Sequence, residues 1–126
     1  MTLNLKQHDR RPWLVAQLQH DDGSGIDVSL AISIDVIVRV QGGTAPLFRA
    51  ECEILTTQPP IPATYDDNTA VSDLDGWVRY KWEVGDTDAS GVYDVEWEIL
   101  WAADEPQTVP TVGYYSVSIA DDLDAA

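Results

Sequence analysis

Residues 92–101 read VYDVEWEILW, and this stretch decides the fold class. Apolar side chains occupy every second position: Tyr93, Val95, Trp97, Ile99 and Trp101. Acidic side chains stand between them: Asp94, Glu96 and Glu98. Such alternation is typical of a β-strand with one face in a core and the other in water, which is the pattern of antiparallel sheets. We therefore predict a half-buried strand here, with both tryptophans in the core.

Five further segments are predicted to be strands. Residues 27–40, 48–55, 76–83 and the end of 107–119 repeat the period of two, whereas residues 12–19 are a short apolar run bounded by polar clusters. Residues 27–40, predicted as one long strand or two strands joined by a bend, would pack one face: Val28, Leu30, Ile32, Ile34, Val36, Val38 and Val40. In residues 48–55 the alternation points Cys52 inward. Turns rich in aspartate, glycine and proline separate these segments.

Six to eight short strands without a helical pattern predict one all-β domain. We favour a single antiparallel immunoglobulin-like β-sandwich over a small barrel. The predicted parts are a flexible N-terminal arm over residues 1–11, the sandwich over 12–119 and an acidic C-terminal tail over 120–126. Three residues fit the tyrosine corner of such sandwiches, in which a hydroxyl folds back onto the preceding corner: Asp88, Gly91 and Tyr93.

Composition excludes several kinds of site and partner. The 126 residues include 22 acidic and 7 basic side chains, for a formal net charge of -15. Binding to nucleic acid or to anionic lipid depends on Lys and Arg, so we expect neither as a partner. One cysteine and two histidines cannot form an internal disulfide or a four-ligand Cys/His zinc site. No stretch has the length and apolarity of a signal peptide or a membrane span, so we expect neither.

Two acidic loops raise the question of a calcium site, because carboxylate oxygens are the ligands that calcium prefers. The first holds Asp21, Asp22 and Asp27. The second holds Asp66, Asp67, Asp73 and Asp75. Aspartate and glycine are also ordinary turn formers, and neither loop has EF-hand spacing, so the turn interpretation is favoured. No arrangement of a nucleophile with a base is present, and we expect no enzyme and no cofactor.

The aromatic residues next to basic ones suggest a docking surface. Trp77 alternates away from Val78 and falls on the same face as Arg79 and Lys81. Trp13 follows Arg10 and Arg11, and it either packs over a sheet edge of its own domain or takes part in docking. Exposed Trp and Arg are enriched at protein interfaces. The predicted docking residues are Arg11, Trp13, Trp77, Arg79 and Lys81, with residues 58–75 as a polar rim.

Three groups of turn and core residues carry a resemblance to a known family. The first lies around a Gly-x-Val-x-Tyr-x-Trp strand and an Asp-Thr corner: Gly76, Val78, Tyr80, Trp82, Asp86 and Thr87. The second leads into an acidic and aromatic strand: Gly91, Tyr93, Glu96 and Trp97. The third precedes the last strand: Thr108, Pro110, Gly113 and Tyr114. In this order the chain resembles β-sandwich domains of tailed-phage virion proteins, namely the baseplate upper protein N-terminal domain and a long tail fibre sandwich domain.

The resemblance implies a structural role in a virion. We expect a non-enzymatic protein that folds in the host cytoplasm and then docks on the tail, baseplate or fibre-attachment region. Its partners would be other phage virion proteins, and copies of the chain would form a homo-oligomer in the assembled particle. The alternatives are a neck or capsid decoration protein, and a module at the tail tip that binds a host carbohydrate or receptor.

Overall fold

The computed structural model describes residues 2–11, 13–55, 75–110 and 115–122. Within these ranges the chain forms nine strands and no helix. The strands are β1 (Thr2–Lys6), β2 (Leu14–Gln17), β3 (Ser33–Val40), β4 (Phe48–Glu51), β5 (Glu53–Ile54), β6 (Trp77–Tyr80), β7 (Gly91–Leu100), β8 (Pro106–Val109) and β9 (Tyr115–Ala120). The predicted all-β class is therefore confirmed.

The strands form two sheets. The large sheet has the order β1-β9-β7-β3-β4, and β8 pairs with the second half of β7. The small sheet has the order β2-β6-β5. Among the described strands every pairing is antiparallel except that of β1 with β9, which is parallel. Two mostly antiparallel sheets with a shared apolar layer are consistent with the predicted β-sandwich.

Strand β7 supplies much of the core, as its alternation predicted. Its inward side chains are buried: Tyr93, Val95, Trp97 and Ile99. The small sheet packs its own inward side chains into the same cluster: Leu14, Ala16, Val78 and Tyr80. Trp101, which we also placed in the core, is only partly buried at its margin. The core thus lies between the two sheets, and the outward faces of both sheets remain for other roles.

Residues 27–40 form a shorter strand than the sequence predicted. Strand β3 begins only at Ser33, and Leu30 and Ile32 are 84% and 62% exposed. The Asp27 carboxylate accepts a hydrogen bond from the Ser29 backbone N–H at 3.0 Å, which stabilises a turn. Such side-chain bonds to the backbone compete with a sheet ladder. The packed face predicted for this segment is therefore wrong at Leu30 and Ile32. It is also wrong at Val40, the last residue of β3, which is 50% exposed.

Residues 48–55 cross from one sheet to the other. Strand β4 pairs with β3 of the large sheet, whereas β5 pairs with β6 of the small sheet. Between them, the Cys52 backbone N–H donates to the Ile34 carbonyl at 2.8 Å, and the Cys52 side chain is buried. The inward orientation predicted for Cys52 is correct, but the segment forms two short strands instead of one.

The Cys52 thiol is expected to resist alkylation in the folded protein. Burial raises the pKa of this thiol to about 12, so almost none of the reactive thiolate is present near neutral pH. Iodoacetamide labelling followed by intact-mass spectrometry measures the effect, with the same reaction in concentrated urea as the control. Labelling of the native protein as fast as of the unfolded chain would show that the site is open.

The N-terminal segment is part of the large sheet. Thr2–Lys6 forms β1 beside β9, and Leu3 and Leu5 are buried. The Gln7 backbone N–H then donates to the Ala120 carbonyl at 2.9 Å. The structure thus corrects the flexible arm predicted over residues 1–11, because two apolar anchors and a ladder of backbone bonds hold its first half. Of the predicted acidic tail, residues 123–126 lie outside the described residues.

The corner before β7 has the geometry proposed from the sequence. The Tyr93 hydroxyl donates to the Ala89 carbonyl at 2.6 Å, back across the turn. Gly91 has φ +144°, in the region that favours glycine. The Asp88 carboxylate accepts a hydrogen bond from His8 Nδ1 at 3.0 Å. The corner therefore connects β7 to the segment that follows β1.

Candidate functional site

The candidate site lies on the outer face of the small sheet. Strands β2 and β6 pair with Val15 opposite Arg79. Leu14 points into the core between the sheets. Because side chains alternate along a strand, Val15 and Arg79 point away from that core, together with Trp13 and Lys81 two positions along the chain. The register of two strands thus brings together residues that are far apart in the sequence.

Three cations meet at the half-buried indole of Trp13. The guanidinium carbon of Arg11 lies 4.4 Å from the ring centroid. Lys81 Nζ lies 4.8 Å from it and the guanidinium carbon of Arg79 lies 5.1 Å from it. Each such cation–π contact contributes about 0.5–1 kcal/mol at an exposed site and more where water is excluded. Arg11, Trp13, Arg79 and Lys81 are called the Trp13 cluster below.

Glu53, on β5, fixes two of these cations. Its carboxylate accepts a hydrogen bond from Arg79 Nη2 at 2.6 Å and lies 3.7 Å from Lys81 Nζ. The Arg79 hydrogen bond lowers the pKa of Glu53 below its usual value, so this carboxylate is charged at neutral pH. The sequence analysis did not single out Glu53. The proximity of Glu53 to Arg79 follows from the pairing of β5 with β6, which the sequence alone does not show.

The charge of the Trp13 cluster is opposite to that of the protein as a whole. Three positive groups and the one carboxylate of Glu53 leave a surplus of two positive charges, whereas the chain carries -15. Lys81 has 49% of its side chain exposed, and Arg79 has 17%. Arg11 is exposed and makes no ion pair with any described residue. The cluster is therefore accessible to an acidic partner.

Trp77 lies on the same face of the small sheet, but its side chain is too buried to contact a partner. The sequence analysis predicted an exposed Trp77 for docking, and the structure leaves it only 5% exposed. Val15, on the adjacent strand, is equally buried, and neither residue belongs to the core between the sheets. Alternation correctly predicted which face of the sheet carries Trp77, but alternation does not tell how deeply a face is covered. Trp77 is thus a supporting residue of the outer face.

Two of the aspartates proposed for calcium, Asp22 and Asp27, accept hydrogen bonds within their own turns. Asp22 accepts hydrogen bonds from the Ser24 hydroxyl at 2.6 Å and from the Ser24 N–H, and these bonds lower the pKa of Asp22. Hydrogen bonds from Ser29 likewise lower the pKa of Asp27. In the described part of the chain, no three His, Cys, Asp or Glu side chains gather as metal ligands would. Asp66, Asp67 and Asp73 lie outside the described residues, as do residues 58–74 of the proposed rim.

No family model, curated protein or solved structure matches this chain. Across the ranges that the structure describes, no helix has the length and apolarity needed to cross a membrane. What the protein does must therefore be inferred from its own residues, and the Trp13 cluster is the arrangement among them that most closely fits a partner.

Proposed function

We propose that this chain is a non-enzymatic structural protein of a tailed phage, and that it docks on the tail, baseplate or fibre-attachment region through the Trp13 cluster. The observation that carries the docking role is the meeting of three cations on one half-buried tryptophan in a strongly acidic protein. The virion location is supported by the resemblance of the turn and core motifs to phage sandwich domains.

The proposal includes an immunoglobulin-like topology. In variable-type immunoglobulin domains, one sheet combines the late strands with the strands of the central hairpin, and the other sheet is smaller. The orders β1-β9-β7-β3-β4 and β2-β6-β5 agree with that division. The bond from the Tyr93 hydroxyl to the Ala89 carbonyl agrees with its tyrosine corner. Such a domain presents two outer faces and is suited to contacts with neighbouring chains.

The chemistry of the Trp13 cluster favours an acidic partner surface. Arginine and tryptophan are the residues that most often carry interface energy. Because Glu53 already orders Arg79 and Lys81, less side-chain entropy is lost when a partner binds. A partner carboxylate near Arg11 and Lys81 would meet the surplus positive charge, and the indole would supply apolar contact area. Charge complementarity would also fix the orientation of docking.

Incorporation into particles tests this proposal. Cells that produce the phage are supplied with the chain as wild type, as Trp13→Ala or as Lys81→Glu, and purified particles are analysed by quantitative mass spectrometry. We expect multiple copies of the wild-type chain per particle and at least a tenfold loss for each variant, since an interface hot spot contributes about 2 kcal/mol or more.

The matched control is Lys6→Glu, which makes the same charge change on an exposed strand end outside the cluster. If Lys6→Glu is incorporated normally and Lys81→Glu is not, the loss is due to the Trp13 cluster and not to the change in total charge. A wild-type chain that stays in the soluble lysate and never accompanies particles would refute the virion role. Equal incorporation of all variants would refute the role of the cluster.

A further inference from the structure

A pocket on the outer face of the large sheet is a second feature of interest. It has a volume of about 200 Å³, opens to solvent and lies beside the connection between β3 and β4. Its lining residues are Ile37, Arg39, Thr44, Pro46, Asp94 and Glu96. Two carboxylates and one arginine thus stand beside the apolar atoms of Ile37 and Pro46, so the lining carries one surplus negative charge. This composition is suited to a long side chain that has an apolar stem and a cationic end.

Glu96 is the carboxylate in this pocket that has no cation. On the same face of β7, Asp94 lies 3.6 Å from Arg39, and Glu98 lies 2.6 Å from Arg49. Glu96 stands between them, is partly buried, and makes no ion pair or hydrogen bond with any described residue. A partly buried carboxylate gains more from a charge-assisted hydrogen bond than one in open water. Because Arg39 pairs with Asp94, Glu96 is the carboxylate of this pocket with which a partner's basic side chain can pair.

The chain itself has the complementary group. Arg11 is exposed, contacts Trp13 and makes no ion pair within the described ranges. We infer that a second copy of this chain is the partner of the Trp13 cluster, and that Arg11 of one copy enters the pocket of the next copy and pairs with Glu96. This inference rests on the proposed docking role and names its partner. The fit of a cation beside an aromatic ring to an acidic pocket is the charge complementarity that carries it.

The positions of the two surfaces determine the kind of assembly. The Trp13 cluster lies on the outer side of the small sheet, and the pocket lies on the outer side of the large sheet. One copy therefore uses both surfaces at once, each toward a different neighbour. A contact between unlike surfaces is heterologous, and it produces a ring if the rotation closes and a filament if it does not. A symmetric pair of copies does not follow from this geometry.

Light scattering on size-fractionated protein tests the inference. At physiological salt the Debye length is about 8 Å, so the overall repulsion between acidic copies is screened while contacts within the interface persist. We expect the wild type to form oligomers larger than a dimer. Arg11→Ala and Glu96→Gln should each weaken self-association at least tenfold and give monomers. The matched controls are Arg10→Ala and Glu51→Gln, which change neighbouring exposed residues outside the cluster and the pocket.

Mixing the variants distinguishes this interface from other modes of self-association. An equal mixture of Arg11→Ala and Glu96→Gln contains one working Arg11 and one working Glu96 in each unlike pair, so it should give dimers and nothing larger. The double reversal Arg11→Glu with Glu96→Arg should restore the large oligomers. Oligomers of the wild type that both single variants retain, or a mixture that stays monomeric, would overturn the inference.

The outcomes also separate this inference from the proposed function. If the wild-type chain stays monomeric up to its solubility limit but its incorporation into particles still requires Lys81, the self-assembly contact is refuted and docking onto another virion chain stands. If neither oligomers nor incorporation is observed, both proposals fail. Circular dichroism of each variant establishes that loss of assembly is not loss of fold.

Discussion

Gly76→Ala is expected to lower the free energy of unfolding by about 3–5 kcal/mol, because a left-handed backbone and a steric collision act at one position. Gly76 precedes β6 and has φ +84°. A Cβ atom there would lie 2.4 Å from the Leu18 carbonyl oxygen and 3.0 Å from the Ile26 backbone nitrogen. These are backbone atoms joined by hydrogen bonds, since the Ile26 N–H donates to the Leu18 carbonyl and the Leu18 N–H donates to the Gly76 carbonyl. They cannot move without loss of those bonds.

Gly85→Ala is the matched control. Gly85 has φ +98°, but a Cβ atom there would meet nothing within 4 Å. Gly85→Ala should therefore lower the free energy of unfolding only by the cost of holding an alanine at a positive φ, about 1–2 kcal/mol. Urea unfolding followed by circular dichroism gives both values. If the two variants lost the same free energy, the close approach of the chain at Gly76 would be disproved and only the backbone conformation would matter.

The sequence was most informative where one face of a strand is buried in the core. The alternation of residues 92–101 gave β7 almost to its ends, because the rows of apolar and acidic side chains face two different environments. The alternation of residues 27–40 was misleading at Leu30 and Ile32, where Asp27 accepts a hydrogen bond from the Ser29 backbone and a turn replaces the sheet ladder. Local hydrogen bonding can thus outweigh a hydrophobic pattern.

The first strand was missed although its pattern is present. Residues 2–6 read TLNLK, with leucine at alternate positions, but five residues are too few for alternation to be decisive. What makes β1 a strand is its pairing with β9 from the other end of the chain. Pairing between distant segments depends on the completed sheet and has no local signature.

The residues of the candidate site were predicted better than their arrangement. A tryptophan beside basic residues indicated Trp13, Arg79 and Lys81, and the register of β2 with β6 brings their side chains together. The sequence contains no sign that Glu53 orders two of the cations. The sequence also predicted the correct face of the sheet for Trp77 but the wrong exposure. Face follows from periodicity, whereas exposure depends on what packs above the sheet.

Trp97→Ala is expected to cost about 3–5 kcal/mol of unfolding free energy, the usual loss when a large aromatic is removed from a core. Trp97 is 3% exposed, and its ring meets Tyr115 edge to face with centroids 5.5 Å apart. In the sheet it stands opposite Val36 of β3 and Val109 of β8. Three strands therefore surround the space that alanine would leave, and a backbone held by ladders on both sides cannot collapse into it.

Trp101→Ala makes the same chemical change one residue after β7 ends and provides the comparison. Trp101 is only partly buried, and its Nε1–H donates to Gln107 Oε1 at 2.8 Å. Its removal should cost about 1–2 kcal/mol, because one hydrogen bond and part of an apolar surface are lost without a closed cavity. Equal losses in urea unfolding would contradict the core position of Trp97. Since Glu96 and Glu98 point to the opposite side of β7, the folded fraction of Trp97→Ala should still self-associate as the wild type does. The core position of Trp97 and the pocket that contains Glu96 would then be shown to act independently on opposite faces of β7.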